Sequence, residues 1–101
     1  MADSTNEPKV GYQGSGHYRV KIEVISQTGD CANGHKVGDA WIAGHVTPGG
    51  ICIAAFNAMC PQLNILEFGG SYPWKADKDV VQAACPDATN PVVFQLTRLE
   101  G

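Results

Sequence analysis

The stretch YRVKIEVISQ, residues 18–27, alternates apolar and charged side chains. Val20, Ile22 and Val24 fall on one side of an extended chain, and the charged residues between them fall on the other. Alternation with a period of two is typical of a strand that buries one face and leaves the other to water. Residues 18–27 are therefore predicted to form a β-strand with one face toward a core.

Three further segments have the composition of strands and lie between turn residues. They are residues 40–46, 79–85 and 92–99. The last two are separated by the six residues 86–91. With a connection this short, an antiparallel hairpin is the simplest pairing of the two strands.

One helical segment is expected between the second and third strands. Residues 51–59 are rich in alanine, and their apolar side chains recur on one helical face. Pro61 is expected to interrupt the helix because its ring clashes with the preceding turn. A second short turn, residues 62–67, is expected to follow at an angle. The order β-β-α-β-β predicts a small α+β domain with a mostly antiparallel sheet and one kinked helical segment.

The first 17 residues differ in composition from the rest of the chain. They are polar and glycine-rich, so they are predicted to be a flexible tail, and residues 18–101 a single domain. They contain no apolar stretch of the kind that a secretory signal needs, which indicates a cytoplasmic protein. Cytoplasmic thiols are kept reduced, and clustered cysteines there are more often ligands or catalysts than disulfides. In an exported protein, the four cysteines could instead pair in three ways.

The charge and hydropathy of the chain argue against nucleic acid and membranes as partners. The net charge is −3 and Lys and Arg form no run, which argues against nucleic acid as a partner. No stretch of about 20 apolar residues exists to cross a membrane. Charged residues make up 17% of the chain, below the usual proportion of about 25%. A lightly charged surface leaves room for a homo-oligomer, and no small-molecule partner is indicated.

The positions of the cysteines carry the strongest functional signal. Cys31, Cys52 and Cys85 each fall at the end of a predicted element, beside a turn or a proline, whereas Cys60 falls in an apolar segment and is predicted to be core. Side chains at element ends can converge from distant parts of a small fold. We expect these three cysteines, with His35 or an exogenous group as fourth ligand, to bind zinc or iron. Such a site would suit an accessory or redox role.

Two alternatives stay open, and with them the question of whether the protein is an enzyme. In the first, Cys52 at the helix start is a nucleophile, with His35 or His45 as general base and Asp39 orienting it. Unpaired N–H groups at a helix start stabilise an anion, which favours such a role for Cys52. In the second, the protein is an oligomeric structural or interaction module and its cysteines are incidental.

Four motifs occur in order along the chain. They are Cys31-x-x-Gly-His-Lys-Val-Gly-Asp39, Gly50-Ile-Cys-x-Ala-Ala-Phe56, Gly69-Gly-x-x-Pro-Trp74 and Cys85-Pro-Asp-x-x-Asn-Pro-Val-Val-Phe94. With them, residues 19–99 resemble a family of small prokaryotic proteins, common among anaerobes and known mainly as uncharacterised conserved proteins. The resemblance implies that Cys31, Cys52 and Cys85 are the motif cysteines and that Cys60 is not. It implies no particular activity.

Overall fold

The computed structural model describes residues 18–44 and 46–99. The elements follow the predicted order: β1 (Val20–Gln27), β2 (Ala40–Ala43), α1 (Ile53–Glu67), β3 (Val80–Ala84) and β4 (Val92–Arg98). The α+β class is confirmed. β1, β3 and β4 are slightly shorter than predicted, and β2 ends at Ala43 instead of residue 46. The predicted tail, residues 1–17, lies outside the described residues.

The four strands form one antiparallel sheet in the order β2-β1-β4-β3. β3 and β4 form the predicted hairpin, with Ala84 opposite Val93. The two longest strands, β1 and β4, lie side by side at the centre, and Gln27 at the end of β1 is opposite Val92 at the start of β4. The segment after β1 and the loop before β4 therefore leave the sheet at the same end.

The helix covers one face of this sheet and forms the core with it. The alternating residues of β1 and β4 that face the helix are at most 1% exposed: Val20, Ile22, Val24, Val92, Phe94 and Leu96. From the helix, Ala55, Met59, Leu63 and Leu66 are buried. The opposite face of β1 and β4 carries half-buried or exposed residues, as the period-two pattern predicts.

The helix continues without interruption through Pro61. The expectation that the helix starts at residue 51 and stops before this proline is wrong, since it begins at Ile53 and ends at Glu67. A proline inside a helix removes one N–H donor and deprives the carbonyl four residues earlier, here that of Asn57, of its partner. Pro61 and Asn57 are both exposed, so water can hydrogen-bond to the freed carbonyl. The core side of the helix keeps its packing.

Two apolar residues lie outside the buried core. Cys60, which was predicted to be core, is half-buried on the helix and does not belong to the buried core cluster. Trp74 is 75% exposed and stacks on Tyr72, whose own ring packs against the core. The aromatic cover at this edge is therefore Tyr72.

The helix of the described residues is not long and apolar enough to cross a bilayer. The homo-oligomer, the exclusion of nucleic acid and the cytoplasmic location stay predictions.

Arg98 joins three elements at the end of the sheet where β4 finishes. Its guanidinium donates to the carbonyl oxygens of Leu66 at 3.2 Å, Gly70 at 2.7 Å and Lys78 at 2.8 Å. It also forms an ion pair with Asp79 at 2.8 Å. The Arg98 side chain is only 11% exposed. The helix C-terminus and the start of β3 are thus fixed to β4 by one cation, which also complements the negative end of the helix dipole.

Replacing Arg98 with methionine is expected to lower the free energy of unfolding by about 2–3 kcal/mol. The reason is that several carbonyl groups and one carboxylate lose a charged donor in a half-buried place. Lys21→Met is the matched control, since the Lys21–Glu23 ion pair is exposed and should contribute less than about 1 kcal/mol. Urea unfolding of both variants measures the difference. Equal stability of the two variants would show that the Arg98 contacts are not needed to hold the helix end.

Candidate functional site

The three motif cysteines come from three separate segments and lie around one cavity. Cys31 is in the segment after β1, Cys52 is the N-cap of α1, and Cys85 directly follows β3. All three are half-buried and line a cavity of about 190 Å³ together with His35. The rest of the lining is Ala32, Asn33, Ala54, Ala55, Pro86, Asp87, Asn90, Val92 and Phe94.

Cys52 is held in place through its backbone. Its N–H donates to Nε2 of His35 at 3.0 Å, and its carbonyl accepts the first helical hydrogen bond, from Phe56 N–H, at 2.9 Å. No side chain caps this helix end, and its first turn contains no acidic residue. Ala54 and Ala55 of the first turn line the cavity, so the positive end of the helix dipole lies at the cavity wall.

His35 is a buried residue that fixes the start of the helix. It is 7% exposed, and its ring makes edge contacts with Trp41 and Phe94, with ring centres 5.3 and 6.2 Å away. Because Nε2 accepts the Cys52 N–H, the neutral ring carries its proton on Nδ1. In this arrangement, neither nitrogen of His35 offers a free lone pair to a metal or to a thiol proton.

Cys85 is fixed by the first residue of β4. Its N–H donates to the carbonyl oxygen of Val92 at 3.0 Å, and the Val92 N–H donates back to Cys85 Sγ at 3.3 Å. The hairpin thus presents the Cys85 sulfur with one donor in place.

Cys31 begins a tight turn that leads to His35. Its carbonyl oxygen accepts the N–H of Gly34 at 3.0 Å. Further along the same segment, Asp39 accepts the Lys36 N–H at 3.1 Å and forms an exposed ion pair with the Lys36 side chain. Within the described residues, the side-chain contacts of Asp39 are those of a turn cap, and none of them joins it to His35.

Asp87 is the acidic residue on the rim of the cavity. Its carboxylate accepts the backbone N–H of Asn90 at 3.1 Å and that of Thr89 at 3.0 Å, and the side-chain amide of Asn90 at 3.4 Å. These donors, with the Asn90 N–H first, hold the pKa of Asp87 below its ordinary value. Asp87 thus stays ionised to lower pH than a free aspartate and adds negative charge to the rim.

The lining offers soft sulfur donors and negative charge. Among its residues there is no Lys or Arg to balance an anion. Within residues 18–44 and 46–99, no three His, Cys, Asp or Glu side chains already stand in a metal-ligand arrangement. The three sulfurs therefore line the same cavity but do not converge on one point.

The other sequence candidates lie elsewhere. His45, the alternative general base, is not among the described residues. Cys60 lines a separate cavity of about 140 Å³ with Phe56 and Leu63.

Two site residues were missed as functional candidates, and each had a signal. Asp87 and Asn90 stand in an Asp-x-x-Asn pattern between two strands, which is typical of a loop closed by side-chain-to-backbone hydrogen bonds. This pattern predicts the local turn. It does not show that the turn packs against the segment of Cys31, because that contact depends on the pairing of β1 with β4.

No protein-family model, no curated protein and no solved structure matches this chain.

His35→Phe is expected to lower the free energy of unfolding by about 1–3 kcal/mol. Phenylalanine retains a ring between Trp41 and Phe94 but leaves the half-buried Cys52 N–H without an acceptor. His35→Gln, which retains an acceptor oxygen, is the control and should lose less. Chemical denaturation compares the two. A phenylalanine variant as stable as the parent would contradict the role of His35 in fixing the helix start.

The lowered pKa of Asp87 predicts that its carboxylate contributes to stability in a pH-dependent way. Its pKa is lower in the folded chain than in the unfolded chain, so its contribution is present above the unfolded pKa of about 4. That contribution is lost as the pH falls through the folded pKa. Melting temperatures of the parent and of Asp87→Asn, measured from pH 7 to pH 2, should therefore differ most near neutrality and converge in acid. A difference that stays constant over this range would contradict the prediction.

Proposed function

We propose that the protein binds a thiophilic metal ion, zinc or ferrous iron, through the thiolates of Cys31, Cys52 and Cys85, in an accessory or redox role. The observation that carries the proposal is the meeting of three cysteines from three distant segments around one cavity. Cysteines that serve only as small apolar residues have no reason to gather at one end of a sheet.

The charge of the cavity supports a cation as the ligand. Three thiols and the ionised Asp87 lie around it, and its lining has neither Lys nor Arg. An anionic substrate would meet only the helix dipole as positive charge, whereas a divalent cation would be neutralised by the thiolates. Sulfur donors select zinc, ferrous iron and similar ions over magnesium or calcium.

The three cysteines are the ligands, and His35 supports them indirectly by holding the backbone of Cys52. His35 accepts the Cys52 N–H at 3.0 Å, and binding a metal through Nε2 would break that hydrogen bond. Three protein ligands leave a fourth position for water or an exogenous group, as in open zinc sites. Rotation of each cysteine about its single χ1 torsion moves its sulfur along the cavity wall without moving a strand.

The same hydrogen bond bears on the alternative of a cysteine nucleophile. A general base for Cys52 must accept the thiol proton with a free ring nitrogen. His35 uses its accepting nitrogen for the Cys52 backbone and carries a proton on the other. Nucleophilic catalysis with His35 as base therefore requires a different arrangement of this segment.

Metal content and single cysteine variants test the proposal. Protein purified without an affinity tag should contain about one equivalent of zinc or iron per chain, and visible absorption separates the two. Cys31→Ser, Cys52→Ser and Cys85→Ser should each lose most of it. Cys60→Ser, a cysteine outside the cavity, is the matched control and should retain it.

Stability gives a second measurement on the same proteins. An ion that binds only the folded chain raises the free energy of unfolding, by about 2.7 kcal/mol when its free concentration is 100 times the dissociation constant. The parent and Cys60→Ser should show this increase with added Zn²⁺ and the three cavity variants should not. A parent that neither retains metal nor responds to Zn²⁺ or Fe²⁺ would overturn the proposal, as would equal metal loss in Cys60→Ser.

A further inference from the structure

The segment that carries Cys31 and the loop that follows Cys85 are joined by one side chain, that of Asn90. Its Oδ1 accepts the N–H of Asp30, the residue before Cys31, at 3.0 Å. Asp30 and Asn90 are 60 residues apart in the chain. A second tie is the hydrogen bond from the Thr28 N–H to the carbonyl oxygen of Pro91, at 3.0 Å.

The other end of the Asn90 side chain is held within its own loop. Its Nδ2 donates to Asp87 Oδ2 at 3.4 Å, while its backbone N–H donates to Asp87 Oδ1 at 3.1 Å. Asp87 is in turn two residues after Cys85. The carboxylate of Asp87 therefore orients the Asn90 amide so that its oxygen points toward the opposite segment.

Gly29 shows how closely the two segments approach. It has φ +72°, and a Cβ placed on it would lie 2.1 Å from Asn90 Oδ1. A side chain fits there only if the Asn90 side chain moves, and a positive φ is itself unfavourable for residues other than glycine. The Gln27 side chain also donates to the Gly29 carbonyl oxygen, so this close approach is fixed from both sides.

We propose that Asn90 is a positioning residue of the three-cysteine cavity, which sets the separation of the Cys31 and Cys85 sulfurs by holding their two segments together. The inference rests on the proposed metal site and adds to it a residue that is not itself a ligand. Its amide oxygen accepts the Asp30 N–H, and its amide nitrogen donates to Asp87. Asn90 acts on the site through the backbone beside Cys31.

The first experiment measures zinc affinity by competition with a chromophoric chelator. Mutation of a residue that orients metal ligands typically lowers metal affinity by about 10- to 100-fold. The zinc affinity of Asn90→Ala should therefore fall by that factor at a temperature where the variant is fully folded. Asn57→Ala, an exposed asparagine of the helix, is the matched control and should bind as the parent does. Equal affinity of Asn90→Ala and the parent would overturn the positioning role.

Gly29→Ala provides a second variant that acts on the same contact from the other segment. Its new Cβ collides with Asn90 Oδ1 in the parent, and the collision is relieved when residue 90 is alanine. The loss of zinc affinity caused by Gly29→Ala should therefore be smaller in the Asn90→Ala background than in the parent. Strictly additive losses would mean that the two residues act independently, contrary to the proposal.

The second experiment needs no metal and separates this inference from the proposed function. In a chain with Cys52→Ser and Cys60→Ser, Cys31 and Cys85 are the remaining thiols. A short reagent with two alkylating arms should cross-link them within one chain, and Asn90→Ala should slow cross-linking severalfold relative to alkylation of a single thiol. Mass spectrometry of the alkylated chain gives both rates.

The cross-linking rate and the metal content test the two proposals separately. Unchanged cross-linking in Asn90→Ala, or a parent whose two thiols do not cross-link, overturns the positioning of Cys31 against Cys85. Slower cross-linking in the variant supports it, whatever the metal content. Slower cross-linking together with a parent that binds no metal would overturn the proposed function and leave the positional role of Asn90 in place.

Discussion

The buried core and the cysteine cavity both depend on the antiparallel pairing of β1 with β4. These are the two longest strands, and their inward residues are among the least exposed in the described chain. Because Gln27 lies opposite Val92, the segment after β1 and the loop before β4 must leave the sheet together. Cys31 and Cys85 are brought to one place by this register, and a shift of one residue would turn the buried face of either strand outward.

The helix is fixed to this sheet by a polar contact at each end as well as by its apolar face. At its start, the Cys52 N–H is bound by His35, and at its end the Leu66 carbonyl is bound by Arg98. The unpaired N–H groups at a helix start and the carbonyls at its end need partners when they are not fully solvated. Here one such partner comes from the segment after β1 and the other from β4, so the helix cannot slide along the sheet without breaking one of them.

Local patterns in the sequence were enough to predict the elements and their class. The alternation around Val20, Ile22 and Val24 identified the strand and its buried face, because period and burial follow directly from backbone geometry. Pro61 was misleading as a helix-stop signal. The free-energy cost of a proline inside a helix depends on whether water can reach the freed carbonyl. That in turn depends on which side of the helix faces the sheet. The positions of Cys31, Cys52 and Cys85 at element ends indicated a shared site, and the structure places them around one cavity.

What the sequence did not predict are contacts between segments that are distant in the chain. Arg98 continues the inward alternation of β4 after Leu96, yet nothing local indicates that its guanidinium meets the helix C-terminus. His35 was predicted from its residue type as a ligand or a base, whereas its observed hydrogen bond is to a backbone N–H. Such roles depend on register and packing, which a single sequence specifies only through the whole fold.

The pairing of the first strand with the last also governs how the chain folds as it is synthesised. β1 leaves the ribosome well before its central neighbour β4, which begins at residue 92, 65 residues after β1 ends at residue 27. Closing so long a loop carries an entropy cost that native contacts repay only when both strands are present. All the cysteines are therefore translated before the sheet that gathers them can form. Until β4 has been synthesised, the cysteines belong to a chain that lacks the central pair of this sheet, and their shared cavity forms only once β4 has paired with β1.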